Sequence, residues 1–398
     1  MVMLNIISKY ILPCIYLLGL MQILQVGGVR LGCYLLSAFN FIFILSNWKL
    51  LKLDKTGIIK CSLLYVILVL VYQILTPPLS EIYNPYEPLF YHVFITTGIS
   101  FWIMGYKDNK IMMDLTKKII AGITIVALLY SFFIMLSYGG VASLSIGSEI
   151  GTFLYQTVPY LLLWMSSVLF ILNKPLRISI ILLFAIVMML STKRGPLVTM
   201  FVGLIISLLI NGRINVKAIL SLSLVAFIGY YIIDIYFDTF LSDWLGRWSE
   251  RDDISNGREE IWDLILNDVS NQDALTIIFG NGYEASHKLT YRFLWNAIGA
   301  HNDFIDILYN FGILGLSLFV FLIISYLKNI VIAIKVKFSH ADMLAYLIAC
   351  FLFGSFISSN MTRYATVYFG VFFYYMAGQI ERNRNNIIVK QESNTMLL

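Results

Sequence analysis

An apolar run about as long as a bilayer is thick recurs twelve times in this sequence, at approximately 10–26, 30–47, 58–75, 89–105, 119–138, 153–172, 176–190, 196–210, 217–236, 304–325, 342–358 and 364–379. A bilayer core takes about 20 residues of helix. Backbone amides in lipid must be satisfied within their own segment, so each run is predicted to be helical. Of the 398 residues, 59% are hydrophobic and 13% charged, against about 25% charged in a soluble globular protein. A soluble core could not hide that much apolar surface. The reading is an all-α polytopic membrane protein, with helices one to nine over 1–236, one large polar loop over 237–302, helices ten to twelve over 303–379 and a tail over 380–398. The run after Lys9 lacks a small-residue cleavage site and leads into further runs, so no cleavable signal peptide is expected. Basic residues are spread between runs rather than patched, which gives no sign of nucleic-acid binding. Cys14, Cys33, Cys61 and Cys350 lie in or beside apolar runs without metal-like spacing.

Lysine and arginine set the orientation. With a cytoplasmic N-terminus, 19 of the 28 basic residues fall on inside segments, and the outside loops at 76–88 and 139–152 hold none. That alternation follows the positive-inside rule, which puts both termini in the cytoplasm and the 237–302 loop outside. Nine basic residues oppose the rule: Arg30, Lys193, Arg194, Arg247, Arg251, Arg258, Lys288, Arg292 and Arg363. Snorkelling to lipid phosphate accounts for Arg30. Lys193 and Arg194 are different, because two cations share the tight turn STKRGP between two short spans.

Within the loop, Ser255-Asn256-Gly257 followed by Arg258, Glu259 and Glu260 reads as a capped helix start, with acids in the first turn. Ile261, Leu264, Ile265 and Val269 continue at helical spacing, which predicts an amphipathic helix over 257–269 suited to the membrane surface. Arg258 and Trp262 stand four apart and share a face. Gly280 and Gly282, in FGNGY, predict a turn with unusual backbone angles or close approach, and are weak evidence of phosphate binding. The loop's eleven acids form no metal-like pair. The loop closes on HNDFIDILYNFGILG, where Asn302 or Asp303 would cap the next helix. His301 then stands just ahead of a helix N-terminus, whose dipole favours the neutral imidazole that a base needs. Taken alone, such a histidine more readily bonds a lipid headgroup than acts as a base. Gly312 and Gly315 read as sites of close helix packing.

The order of these features (STKRG, two spans, then an outward loop with GRWSER, NGREEIW and FGNGY, ending in HNDFIDILYNFGILG) resembles the O-antigen polymerase and ligase superfamily. The motifs span roughly 185–325, and the hydropathy pattern the whole chain. The resemblance implies a GT-C-like helical fold in the bacterial inner membrane, with its site on the periplasmic side. It implies that Arg194 and Arg258 bind lipid diphosphate and that His301 is the base. Lys193 stands where many members have serine and adds a cation beside Arg194. Arg247, Arg363 and Asn302 complete the expected substrate-binding set. Implied partners are undecaprenyl-diphosphate-linked oligosaccharides as donor and acceptor, together with membrane lipid, a flippase and a chain-length regulator; no cofactor or metal is expected.

Residue chemistry agrees. Arginine offers a planar, permanently charged fork for diphosphate oxygens, and donors of that kind stabilise charge developing on a diphosphate leaving group. Trp244, Trp248, Trp262 and Trp295 would stack on sugars or anchor the loop at the interface. The leading expectation is a polymerase of oligosaccharide repeat units, with a ligase that passes polymer to a lipid A core as the alternative. A flippase fits the number of spans, but it would need polar groups near mid-membrane, and here the charges gather at the outer helix ends and in the loop.

Overall fold

The computed structural model describes residues 29–76, 88–108, 110–137, 194–210, 258–295, 298–357 and 366–395. The apolar runs at 10–26, 153–172, 176–190 and 217–236 lie outside the described residues. All regular structure among the described residues is helical: α1 Val29–Ser46, α2 Trp48–Leu51, α3 Ile58–Leu75, α4 Pro88–Tyr106, α5 Lys110–Ser137, α6 Arg194–Ile210, α7 Arg258–Ser270, α8 Ala274–Phe279, α9 Ala285–Leu294, α10 Asp303–Lys335, α11 Ala341–Ile357 and α12 Thr366–Thr395. Helices α3 and α10 are long and apolar enough to cross a bilayer, and α1, α4, α6 and α11 carry shorter apolar stretches. α10 and α12 run well beyond the apolar segments expected at 304–325 and 364–379, and neither sequence has a glycine or proline between the end of that segment and the end of its helix.

Contacts between these helices fix their relative directions. Tyr65 and Tyr72 of α3 meet Phe319 and Phe311 of α10, so the two run antiparallel. Tyr374 and the backbone of Gly378 on α12 lie against Gly98 and Trp102 of α4, so that pair runs parallel. Thr199 and Gly203 of α6 face Cys350 and Tyr346 of α11, an antiparallel pair. The helix ends therefore sort into two groups. The last residues of α3 and α11 lie with the first of α6 and α10 at the loop end.

The opposite, basic end is tied by cations. Lys107 donates to Asn47 Oδ1 at 2.5 Å, Lys328 to the Lys55 carbonyl at 3.3 Å, and Arg382 pairs with Asp108 at 2.7 Å. Asp54 caps α3 there, accepting from the amides of Thr56, Gly57 and Ile59 at 2.8–3.1 Å and from the Thr56 hydroxyl at 2.6 Å. The core between α1, α3, α4, α10, α11 and α12 is rich in fully buried aromatics, among them Trp102, Phe319, Tyr326, Phe351 and Phe369. Some of the polar groups inside it bond one another, as burial favours. Asn40 donates to Thr97 at 2.8 Å, and the Tyr374 hydroxyl lies 2.7 Å from Ser62 Oγ and 3.0 Å from the Tyr326 hydroxyl. The expectation that polar residues gather at the outer helix ends missed this hydroxyl cluster, whose members are uncharged.

Candidate functional site

The site is built on a break in α10. Gly312 has φ 65° and ψ −167°, a conformation open to glycine and costly for any residue with a Cβ. A straight helix spends the carbonyls of Tyr309 and Asn310 on amides four residues on. At the break these carbonyls accept from the preceding loop, Asn281 N to Tyr309 O at 3.0 Å and Gly282 N to Asn310 O at 2.9 Å. The approach leaves no room for side chains. A Cβ on Gly312 would lie 2.3 Å from the Ile278 carbonyl, and one on Gly280 would lie 2.4 Å from the Gly312 amide. The FGNGY glycines thus serve backbone docking, and Gly312 breaks the helix rather than packing it against another. Asn310 Oδ1 accepts from Ser286 N at 2.9 Å, and Tyr309 donates to Asp268 at 2.7 Å. On the far side the loop sits on the end of α3, where Tyr72 donates to the Phe279 carbonyl and Tyr283 N to Thr76 Oγ1.

This docking gives the loop its own small core: Ile261 and Ile265 of α7, Ala285 and Leu289 of α9, Ala300 and Tyr309. Helix α7 begins at Arg258, as the spacing predicts. Its apolar face is used inside this core, which leaves the expected membrane-surface role to its exposed residues such as Leu266. Helices α8 and α9 carry no strong sequence signal. Asp273 caps α8, accepting from Leu275 N and Thr276 N. Hydrogen bonds from the Thr276 hydroxyl and amide hold the Asp273 carboxyl below its usual range.

His301 stands at the end of a turn clamped on every side. Ile298 exchanges bonds with Thr290 Oγ1, at 2.7 Å through its carbonyl and 3.1 Å through its amide. Ala300 N donates to Asp306 Oδ1 at 2.8 Å, and the Ala300 carbonyl accepts from Trp262 Nε1 at 2.7 Å. Asn302, rather than Asp303, caps α10, accepting from Phe304 N at 2.9 Å and Ile305 N at 3.3 Å. Between these fixed points the half-buried His301 takes φ 52°, a left-handed conformation costing roughly 1–2 kcal/mol outside glycine. The bonds on either side hold it there, at the mouth of α10 beside the buried Asp303 and Asp306.

Of the two arginines expected to bind diphosphate, Arg258 reaches the end of α11. Arg258 Nη1 donates to the carbonyl of Ile357, the last residue of α11, at 2.5 Å; a cation is favoured at a helix C-terminus, where the dipole is negative. The α6–α11 register pairs Thr199 with Cys350 and Gly203 with Tyr346. Arg194 opens α6; its side chain, with Lys193, Arg247 and Arg363, lies outside the described residues. Trp262, on the Arg258 face of α7, joins that arginine's helix to the residue before His301. Its indole N–H is spent on that bond, whereas Trp295 is 82% exposed.

Sequence reasoning assigned no role to His287 or to Asp306. The largely buried His287 ring and the Asp306 carboxylate flank Gly299: a Cβ there would lie 3.1 Å from His287 Cε1 and 3.0 Å from Asp306 Oδ2. Burial lowers the His287 pKa, and Asp306 opposes that shift. Spacing holds no signal for this pair, since the two stand on different helices with 18 residues between them.

Residues 179–320 match the family model described as O-antigen ligase. The match takes in α6 to α9 and the first half of α10, the elements that carry Arg194, Arg258 and His301. No curated protein matches the chain. Members of that family are enzymes of O-antigen or other glycan assembly, and the all-helical described residues, with their apolar helices, are consistent with a membrane protein of that family.

Proposed function

We propose that this chain, whose residues 179–320 form a domain of the O-antigen ligase/polymerase superfamily, is a polymerase of surface polysaccharide. It joins undecaprenyl-diphosphate-linked oligosaccharide repeat units on the outer side of the inner membrane. One observation carries the reading: Arg258 is anchored at the end of α11, while its helix neighbour Trp262 holds the residue before His301. A guanidinium suited to diphosphate thereby shares one scaffold with a histidine at a helix mouth.

In this reading His301 removes the proton of an acceptor sugar hydroxyl. The oxygen attacks the anomeric carbon of the donor glycan, and the bond from that carbon to the lipid diphosphate breaks with its electron pair leaving on the diphosphate. Arg194 and Arg258, helped by Lys193, Arg247 and Arg363, stabilise that charge, and Asn302 fixes the helix behind the base. A single displacement inverts the anomeric centre. Twelve spans in a GT-C-like arrangement, with both termini cytoplasmic, accord with the sorting of basic residues to one end of the bundle. A chain-length regulator and a flippase would work beside it.

The description of the matching family favours a second reading, a ligase that transfers finished polymer to a lipid A core sugar. Gene deletion followed by glycan gel analysis separates the two. Loss of a polymerase leaves core bearing a single repeat, whereas loss of a ligase leaves bare core and accumulated lipid-linked polymer. An unchanged glycan profile would sink both.

A further inference from the structure

Among the titratable groups that the proposed chemistry leaves unused, the buried Asp306 and the half-buried His287 both touch the turn that carries His301. Asp306 lies on the first turn of α10 and is 7% exposed. Its Oδ1 takes the Ala300 amide at 2.8 Å, while Oδ2 faces Gly299. His287 lies on α9, and its ring closes on Gly299 beside that carboxylate. Its backbone is held as well, because the Thr290 hydroxyl that binds Ile298 also contacts the His287 carbonyl at 3.1 Å. Helices α9 and α10 thus grip the same short turn, immediately before the strained His301.

We propose that His287 and Asp306 act together as the positioning pair of the site, fixing the 299–300 backbone and through it the place and orientation of the His301 imidazole. This rests on the reading of His301 as base. Asp306 supplies the acceptor that stops the turn from rotating. The His287 ring fills the space beside Gly299 and shields that acceptor from water. The titratable groups that neighbouring elements bring to this face are Asp303 of α10, Tyr65 of α3, whose charge interactions include Asp303 and Asp306, and Asp268 of α7, bonded to Tyr309. Glu284 and Lys288 lie on α9 itself.

The test uses the full chain, purified in detergent, in four variants: Asp306→Ala, Asp306→Asn, His287→Gln and His301→Ala. The first readout is the rate at which diethyl pyrocarbonate modifies His301, followed by peptide mass spectrometry. The second is turnover and KM with lipid-linked repeat units, as a function of pH. Asp306→Ala is expected to change His301 reactivity severalfold and to lower turnover by about 100-fold, the scale of a 1 Å misplacement, with KM for the lipid-linked donor little changed. Asp306→Asn keeps an acceptor and should recover part of the rate, with its acid limb moved; His287→Gln should move that limb too. Unaltered His301 reactivity in both Asp306→Asn and His287→Gln overturns the pair whatever the activity shows. If instead His301→Ala stays active while reactivity shifts as expected, the positioning stands and the reading of His301 as base fails. Asp306→Asn and His287→Gln keep the test open should Asp306→Ala not fold.

Discussion

Arg258 donates to the backbone oxygen of Ile357 at 2.5 Å, across 99 residues of sequence. The acceptor closes α11, and the donor opens α7, so one side chain joins the outer loop to the helix bundle. Arg258→Ala is expected to lower polymer synthesis by about 100-fold, the scale of losing one transition-state donor. Arg258→Lys keeps the charge without the fork and should restore only a small part. Polymer formed by membranes supplied with lipid-linked repeat units measures both, and full activity of the lysine variant would show that a point charge suffices.

Trp262 holds the Ala300 carbonyl through its indole nitrogen at 2.7 Å. Trp262→Phe keeps most of the packing and removes that donor, leaving a buried carbonyl short of a partner. The loss should cost about 1 kcal/mol of stability and a larger factor in turnover, since the bond ends one residue before His301. Thermal unfolding and turnover on the same preparation read the two effects. Equal, small changes in both would mean that Trp262 is merely a packing residue.

Gly312 and Gly122 make a matched pair. A Cβ on Gly312 would meet the Ile278 carbonyl at 2.3 Å at a positive φ, whereas one on Gly122 in α5 meets nothing within 4 Å. Gly312→Ala is expected to cost about 3 kcal/mol or more through overpacking and backbone strain. Gly122→Ala should be neutral or stabilising by about 0.5–1 kcal/mol, because alanine is the better helix former. Membrane-inserted protein levels and detergent melting temperatures distinguish them.

Burial holds the His287 pKa below its usual 6.5, against the pull of Asp306. Above pH 6.5 neither folded nor unfolded chain binds a proton there, so the contribution of this group is fully present. As pH falls below 6.5 the unfolded state takes up the proton first, and stability drops until the lower folded pKa is passed. Protection against hydrogen exchange in α9 and the 298–300 turn, taken relative to the intrinsic rate at each pH, should therefore fall as pH is lowered from 7.5 to 5.5. His287→Gln should remove that dependence, and a slope that survives the substitution would assign it to another group.

Asn271, in the exposed turn after α7, and Lys337, in the exposed turn after α10, lie at opposite ends of the bundle. Asn271→Cys is expected to react with a membrane-impermeant maleimide while the inner membrane is intact, and Lys337→Cys only after that membrane is opened. The reverse pattern would invert the topology.

Much of the bundle was legible in the sequence. The runs at 30–47, 58–75, 89–105, 196–210 and 342–358 coincide with α1, α3, α4, α6 and α11 to within a residue or two, because helix in lipid is forced by apolar length alone. The start of α7 at Arg258 and the cap at Asn302 were legible too, since capping is a local matter of side-chain oxygens and nearby amides. The break at Gly312 was not. FGILG reads as a continuous membrane helix, and only the docking of Asn281 and Gly282 shows what the glycine permits.

By itself, the sequence determined that this chain lives in a membrane, which helix ends gather the cations, and which arginines and histidine stand apart from that pattern. Those properties follow from transfer free energy and charge, which act residue by residue. Tertiary structure alone decided that Arg258 would reach the end of α11, that Trp262 would hold the turn before His301, and that His287 and Asp306 would close on Gly299. Each of these contacts joins elements far apart in sequence. Their geometry depends on where the packing of the loop core and the bend of α10 set the backbone, and periodicity and spacing carry no record of that.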